Sequence, residues 1–296
     1  MPRLYYCDHH TIPLPPGHKF PMQKYALLRN LLVADRFFDL CPAPLATPES
    51  IQLAHDPAYV RAFLAGTLDA RAMRRIGFPW SEGLVRRTLA SVGGTLCAAR
   101  DAWATGFGGN LAGGTHHAFR GEGSGFCVFN DIAIGILSLR HEAGIQRAAV
   151  IDLDVHQGDG TALIFETDPN VMTVSVHGRN NFPFRKQRSR LDIELADGTT
   201  DGEYLDEVAR ILPRVFEFEP GVIFYQSGVD ALASDRLGRL SLTLDGLARR
   251  DRMVLSACAD FGAPFVITLG GGYSEPIEAT AEAHANTFRL AAEIFG

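Results

Sequence analysis

The chain has 296 residues, 46% hydrophobic and 21% charged, with a formal net charge of -6. That composition belongs to an ordinary folded protein and excludes a disordered chain, while the acidic balance argues against direct nucleic-acid binding. No apolar run approaches the ~18 residues of a membrane helix, and the N-terminus MPRLYYCDHH lacks the basic-then-apolar pattern of a secretory signal. The five cysteines, scattered and without a CxxC pair, suit a reducing compartment, so a cytoplasmic protein with no membrane contact is expected.

Along the chain, the Pro-rich patches TIPLPPGH and CPAPLATPES read as loops around one early helix, PMQKYALLRNLLVADRF, whose apolar positions recur at helical spacing. SEGLVRRTLASVGGTLCAARDAWAT follows as a helical region, with Ser81 as its N-cap. Then come five apolar runs with strand character: GNLAGG, RAAVIDLD, VMTVSV, GVIFYQSG and PFVITLGGG. Helical segments lie between them, among them DGEYLDEVARILPRVFEF and LDGLARRDRMVLSACADFG. The alternation predicts an α/β protein, one domain over residues 1–296, with a parallel sheet covered by helices on both faces.

Four of the five runs end in glycine or in a polar cluster: AGGTHHAF, DLDVHQGDG, SGVDAL and GGGY. In open parallel sheets ligands bind beyond the carboxyl ends of the strands, so these four should meet at one edge. DLDVHQGDG opens like a calcium loop, but its glycine is misplaced for one and a strand-like segment precedes it. Continued as a strand, it would set Asp152, Asp154 and His156 on one face, and an Asp with a His offers mixed oxygen and nitrogen ligands suited to zinc or another divalent transition metal. Asp230 after the fourth run reads either as a helix N-cap or as a third ligand, which would leave an open position for catalysis. Adjacent His116 and His117 can move protons near neutral pH if a carboxylate fixes their tautomer, and Asp152 and Asp159 are available for that; His9 and His10 read as surface residues. Two Asp ligands would cancel the charge of a divalent ion, so a phenol donor such as Tyr273 would strengthen polarisation of a carbonyl.

Together, GGTHHAF, GSGFCVFND, IDLDVHQGDG, SGVDAL and GGGY, in that order, resemble the zinc-dependent histone deacetylases of the arginase and deacetylase superfamily, from Leu45 to the C-terminus. SGVDALASDRLGRLSLTLDGLARRD looks most like class IV and its bacterial relatives. The resemblance implies one Zn2+ on Asp154, His156 and Asp230. It implies His117 as general base oriented by Asp159, His116 held by Asp152 as an electrostatic partner or proton donor, and Tyr273 polarising the amide carbonyl. Phe126 and Phe182 would line a tunnel for the acyl-lysine stem, with Gly125 leaving room. A K+ site would use Asp152, Ser175 and backbone oxygens of Asp154, His156 and Val176. The expected activity is hydrolysis of acyl groups from lysine side-chain amides of a protein or peptide. A small acylated amine such as an acetylpolyamine is the alternative substrate, and a catalytically dead acyl-lysine reader should have lost one of these residues. The two-manganese arginases place another Asp two residues before the position of Asp230, where this chain has Gly228.

Overall fold

The computed structural model describes residues 1–296. Its strands are β1 (Arg3–Tyr6), β2 (Asp39–Pro42), β3 (Phe107–Asn110), β4 (Ala148–Asp152), β5 (Val171–Gly178), β6 (Leu191–Leu195), β7 (Ile223–Gln226) and β8 (Phe265–Thr268). The helices are α1 (Gln23–Asp35), α2 (Pro48–Gln52), α3 (Pro57–Leu64), α4 (Ala70–Ile76), α5 (Glu82–Thr105), α6 (Asp131–Ala143), α7 (Asp159–Ile164), α8 (Asp201–Glu217), α9 (Leu244–Phe261) and α10 (Ile277–Phe295). All eight strands form one sheet, in the order β2-β1-β3-β8-β7-β4-β5-β6, and every neighbouring pair is parallel. The fold is therefore the α/β arrangement with a parallel central sheet that the alternation predicts.

The central strands β3, β4, β5, β7 and β8 are buried at every position, as both faces of a parallel sheet must be when helices cover them. Their β-branched and aromatic side chains, such as Val150, Ile151, Phe224 and Ile267, join one apolar cluster with residues of the surrounding helices. Local capping fixes the helix that matters most to the site. Ser81 Oγ accepts the Leu84 N–H at 3.0 Å and opens α5, which ends at Gly106 in the left-handed region with φ 92°.

Two of the strand boundaries that differ from the sequence reading bear on the site. β4 ends at Asp152, so Asp154 and His156 lie on the loop beyond it rather than on a strand face. The reason is that Asp152 Oδ1 and Asp154 Oδ1 accept the backbone N–H groups of Asp154 and His156 at 3.2 and 3.0 Å, turning the backbone away from the ladder. β3 covers Phe107–Asn110 and leaves Leu111–Gly114 as loop, with Gly113 and Gly114 at φ 77° and 74°, which no strand accommodates. The N-cap alternative for Asp230 also falls, since no helix follows it before α9. Finally, CPAP is not all loop: Cys41–Pro42 closes the edge strand β2, where a missing N–H is tolerated.

Candidate active site

The loops carrying the four clusters leave β3, β8, β7 and β4, which are consecutive neighbours in the sheet. This adjacency brings Asp154, His156 and Asp230 together, with one potential ligand atom from each lying within 4.8 Å of the others. His156 Nδ1 stands 3.0 Å from both Asp154 Oδ1 and Asp230 Oδ2. The other carboxylate oxygens are held by backbone: Gly271 N–H donates to Asp154 Oδ2 at 2.7 Å and Val155 N–H to Asp230 Oδ1 at 2.9 Å.

This donor set fits a divalent cation. Burial, together with the neighbouring charge of Asp154, pushes the Asp230 carboxyl up to about 7. Burial alone would lower the His156 imidazole, but hydrogen bonds and charge from the two aspartates outweigh it and raise it to about 10. Two carboxylates sealed from water beside one imidazole are an unbalanced set that a dication would neutralise. Gly228 rules out a second metal ligand at its position, because any Cβ there would stand well inside contact distance of Asp154 Oδ2.

Two His–Asp pairs flank the cluster. His116 Nδ1 lies 2.7 Å from Asp152 Oδ2, and His117 Nδ1 lies 2.6 Å from Asp159 Oδ1. Their surroundings drive the two imidazoles apart. For His117, burial and the adjacent His116 lower the pKa to about 4 despite the Asp159 hydrogen bond. For His116, burial opposes charging, but Asp152 and Asp154 outweigh it and raise the pKa to about 9. One ring is therefore poised to accept a proton and the other to give one.

A cavity of about 750 Å³ opens onto these groups. Phe182 stands edge-on over His117, 4.8 Å between centroids, while Phe126 packs with Phe20 and Phe78 at 5.4 and 5.3 Å and faces Tyr273 at 6.3 Å. Gly125, at φ 52°, fits between His117 and Phe182: an added Cβ would meet His117 Cδ2 at 2.7 Å. The Tyr273 phenol lines the cavity, and burial beside Asp230 and Asp154 holds its pKa well above the usual value, so it remains a donor. Ser175 is the register partner of Asp152 on β5, with Val176 next to it, and Ser175 Oγ lies 2.9 Å from His177 Nδ1.

Several residues of the site were not singled out from the sequence. Asp131 accepts the N–H groups of Gly114 and Thr115 at 3.0 and 2.7 Å and so holds the histidine loop. Asp235 accepts the Tyr273 N–H at 2.6 Å. Lys24 is buried, donates to Gly270 O at 3.1 Å and lies 5.3 Å from the Tyr273 ring. Arg87 is buried on the cavity wall. Signals for three of these exist. Asn130–Asp131 before an apolar helical run is a helix-start pattern, and Asn130 Oδ1 indeed accepts the Ala133 N–H at 3.0 Å. Lys24 shares a helical stripe with Leu28 and Leu32, and Arg87 one with Leu84 and Ala90, so both were legible as cations on buried faces.

Residues 18–290 match the histone deacetylase domain family. An uncharacterized protein of Picosynechococcus is 45% identical, covering 100% of this chain and 99% of its own length. Histone deacetylase 2 of Arabidopsis thaliana is 30% identical over 86% of this chain and 70% of its own length. The acetoin utilization protein AcuC of Bacillus subtilis is 32% identical over 86% and 73%. With the match spanning most of the sequence, and with such relatives covered over more than two thirds of their length, the chain belongs to the histone deacetylase family and carries its hydrolytic deacetylase domain.

Proposed function

We propose that this protein is a zinc-dependent hydrolase that removes acyl groups from lysine side-chain amides of proteins or peptides, acting as one catalytic domain over residues 1–296. The observation that carries the reading is the convergence of Asp154, His156 and Asp230 with two Asp-anchored imidazoles beside an aromatic-walled cavity. A single Zn2+ held by those three residues supplies Lewis acidity toward the amide carbonyl and water. Phe126 and Phe182 wall the path of the acyl-lysine stem, and Gly125 keeps it open. His117, neutral at physiological pH, takes the proton of the attacking water at Nε2 while Asp159 holds its Nδ1–H. His116, kept cationic by Asp152, gives a proton toward the leaving lysine nitrogen. Tyr273 donates to the carbonyl oxygen as negative charge develops on it. We assign a K+ to Asp152, Ser175 and the carbonyls of Asp154, His156 and Val176, a reading supported by the register pairing of Asp152 with Ser175.

A specific observation weighs against the acetylpolyamine alternative. Asp154 is the one acidic residue lining the cavity, whereas Lys19, Arg236 and Arg239 line it as cations. Arg236 and Arg239 are paired with Glu275 and Asp197, but Lys19, Lys24 and Arg87 have no salt-bridge partner, and a polycationic substrate would meet their like charge. The class IV-like stretch from Ser227 to Asp251 supports a place beside that branch, and the five unpaired cysteines support a cytoplasmic setting. No helix is long and apolar enough to cross a membrane.

The deciding measurement is turnover by zinc-loaded protein of acetyl-lysine peptides, longer acyl-lysine peptides and acetylpolyamines side by side. Acyl-lysine peptides should be the better substrates. Preference for an acetylpolyamine would overturn the lysine assignment, and no turnover of any amide would overturn the hydrolase.

A further inference from the structure

Beyond the catalytic groups, one wall of the same cavity is cationic without an acidic partner. Arg87 is 5% exposed, forms no salt bridge, and its Nη1 has no hydrogen-bond partner although shielded from solvent. Its guanidinium lies 4.1 Å from the centroid of the Tyr25 ring, a contact that screens but does not neutralise it. Lys24, 1% exposed, donates to the carbonyls of Gly270 and Gly272, at 3.1 and 3.5 Å, and lies over the Tyr25 and Tyr273 rings at 5.2 and 5.3 Å, with no salt bridge. Thr88 and Ser91, one and four residues past Arg87 on α5, line the cavity beside it. The carboxylates that attract Lys24, Asp154 and Asp230 foremost, are those a bound dication would neutralise. With those two neutralised, Lys24 keeps only the attraction of Asp235, and Arg87 has no salt-bridge partner. A buried guanidinium without a carboxylate is costly, and its planar fork of donors is what a carboxylate matches.

We propose that Arg87, assisted by Lys24, forms a subsite for the terminal carboxylate of a dicarboxylic acyl group, so that succinyl- or glutaryl-lysine is a preferred substrate class. The inference rests on the lysine-deacylase reading of the site and narrows it. Charge complementarity supports it: Lys24 and Arg87 line the cavity without a salt-bridge partner, whereas Arg236 and Arg239 on the same lining are already paired with Glu275 and Asp197. The chemistry needs nothing further. Water adds hydroxyl to the acyl carbon, the C–N bond breaks, the nitrogen takes a proton, and the acyl group leaves as a dicarboxylate.

The test compares succinyl- and glutaryl-lysine peptides with the butyryl- and valeryl-lysine peptides that match them in length without the charge. The zinc-loaded protein should favour the charged acyl group at least tenfold in kcat/KM. In Arg87→Met that ratio should fall at least tenfold, and Arg87→Lys should restore part of it. A ratio that does not change in Arg87→Met, with both substrates losing equally, assigns Arg87 to structure and overturns the subsite. So does a wild-type preference for butyryl over succinyl, even if free succinate inhibits, since the anion would then be the released acid only. If no acyl-lysine is turned over at all, the hydrolase reading falls separately. Calorimetric binding of intact glutaryl- against valeryl-lysine peptide, in wild type and Arg87→Met, then still decides: equal affinities overturn the subsite, and an Arg87-dependent preference upholds it.

Discussion

Two buried polar regions lie back to back beyond β4 and β7, and they are built on opposite principles. Behind the site, Arg250 and Asp251 are almost wholly buried, yet nearly every valence is answered. Asp251 Oδ1 accepts Arg250 Nε at 2.8 Å and the Tyr225 hydroxyl at 2.5 Å, and Oδ2 accepts the Thr287 hydroxyl at 2.6 Å. Arg250 Nη1 donates to Gly228 O at 2.6 Å. One cation meets one anion. In front, Asp154, His156 and Asp230 put two carboxylates beside one imidazole, a set that a cation from outside would balance. The balanced region clamps the Gly228 carbonyl, two residues before Asp230, so the rigid network sets the backbone on which the unbalanced one rides. A buried polar group that is fully partnered belongs to the scaffold; one left charged and under-partnered awaits a ligand.

This contrast can be broken most sharply at the metal cluster. Asp154→Asn should remove most bound zinc and nearly all turnover while the fold survives, read by metal content, activity and circular dichroism; stoichiometric zinc in that variant would dissolve the distinction. Next, Tyr273→Phe deletes one hydroxyl and keeps the ring. Turnover should drop by roughly 100- to 1000-fold with zinc and melting temperature held, the usual loss of one oxyanion donor. His117→Ala should keep zinc and lose at least ~100-fold in rate. Because the His117 imidazole is pushed down to about 4, the acid limb of the rate belonging to it should appear near that value rather than near 6.5.

The rear network should answer in the other currency. Asp251→Asn leaves Arg250 buried and unpaired, which should cost about 3 to 5 kcal/mol in denaturant unfolding. Surviving folded protein should keep its zinc. If zinc were lost with stability unchanged, the two regions would be one.

The smallest effect is the pH dependence of stability through His55. Its Nδ1 lies 3.2 Å from Arg120 O and its Nε2 accepts the Asn130 N–H at 2.8 Å, so a proton on Nε2 would break that bond. Burial lowers its pKa to about 4 from 6.5. Below 6.5 the unfolded chain takes up a proton that the folded one refuses, so stability falls as pH drops and levels off below about 4. The full effect is on the order of 3 kcal/mol. His55→Gln should flatten that part of the melting curve, and an unchanged slope would exclude His55 as its source.

What the sequence determined by itself was the alternation of apolar runs and helices, and the polar clusters at the ends of those runs, because side-chain periodicity and strand-end placement are local properties. DLDVHQGDG and GGTHHAF pointed, from residue chemistry and spacing, to the Asp and His cluster and to the adjacent imidazoles that the structure brings together. The edge strands β2 and β6, and β1 next to β2, were not legible, because their burial is mixed and no continuous apolar run marks them. The tertiary structure alone decided that β3, β8, β7 and β4 stand side by side, so that loops separated by more than a hundred residues share one cavity. It also decided which charges are balanced. Lys24, Arg87 and Arg250 are all cations on helices in the sequence, and Arg250 has Asp251 beside it in the chain, but only the fold buries that pair under Tyr225 and Thr287 and leaves the other two lining a cavity without a salt-bridge partner, because burial and pairing depend on distance in space.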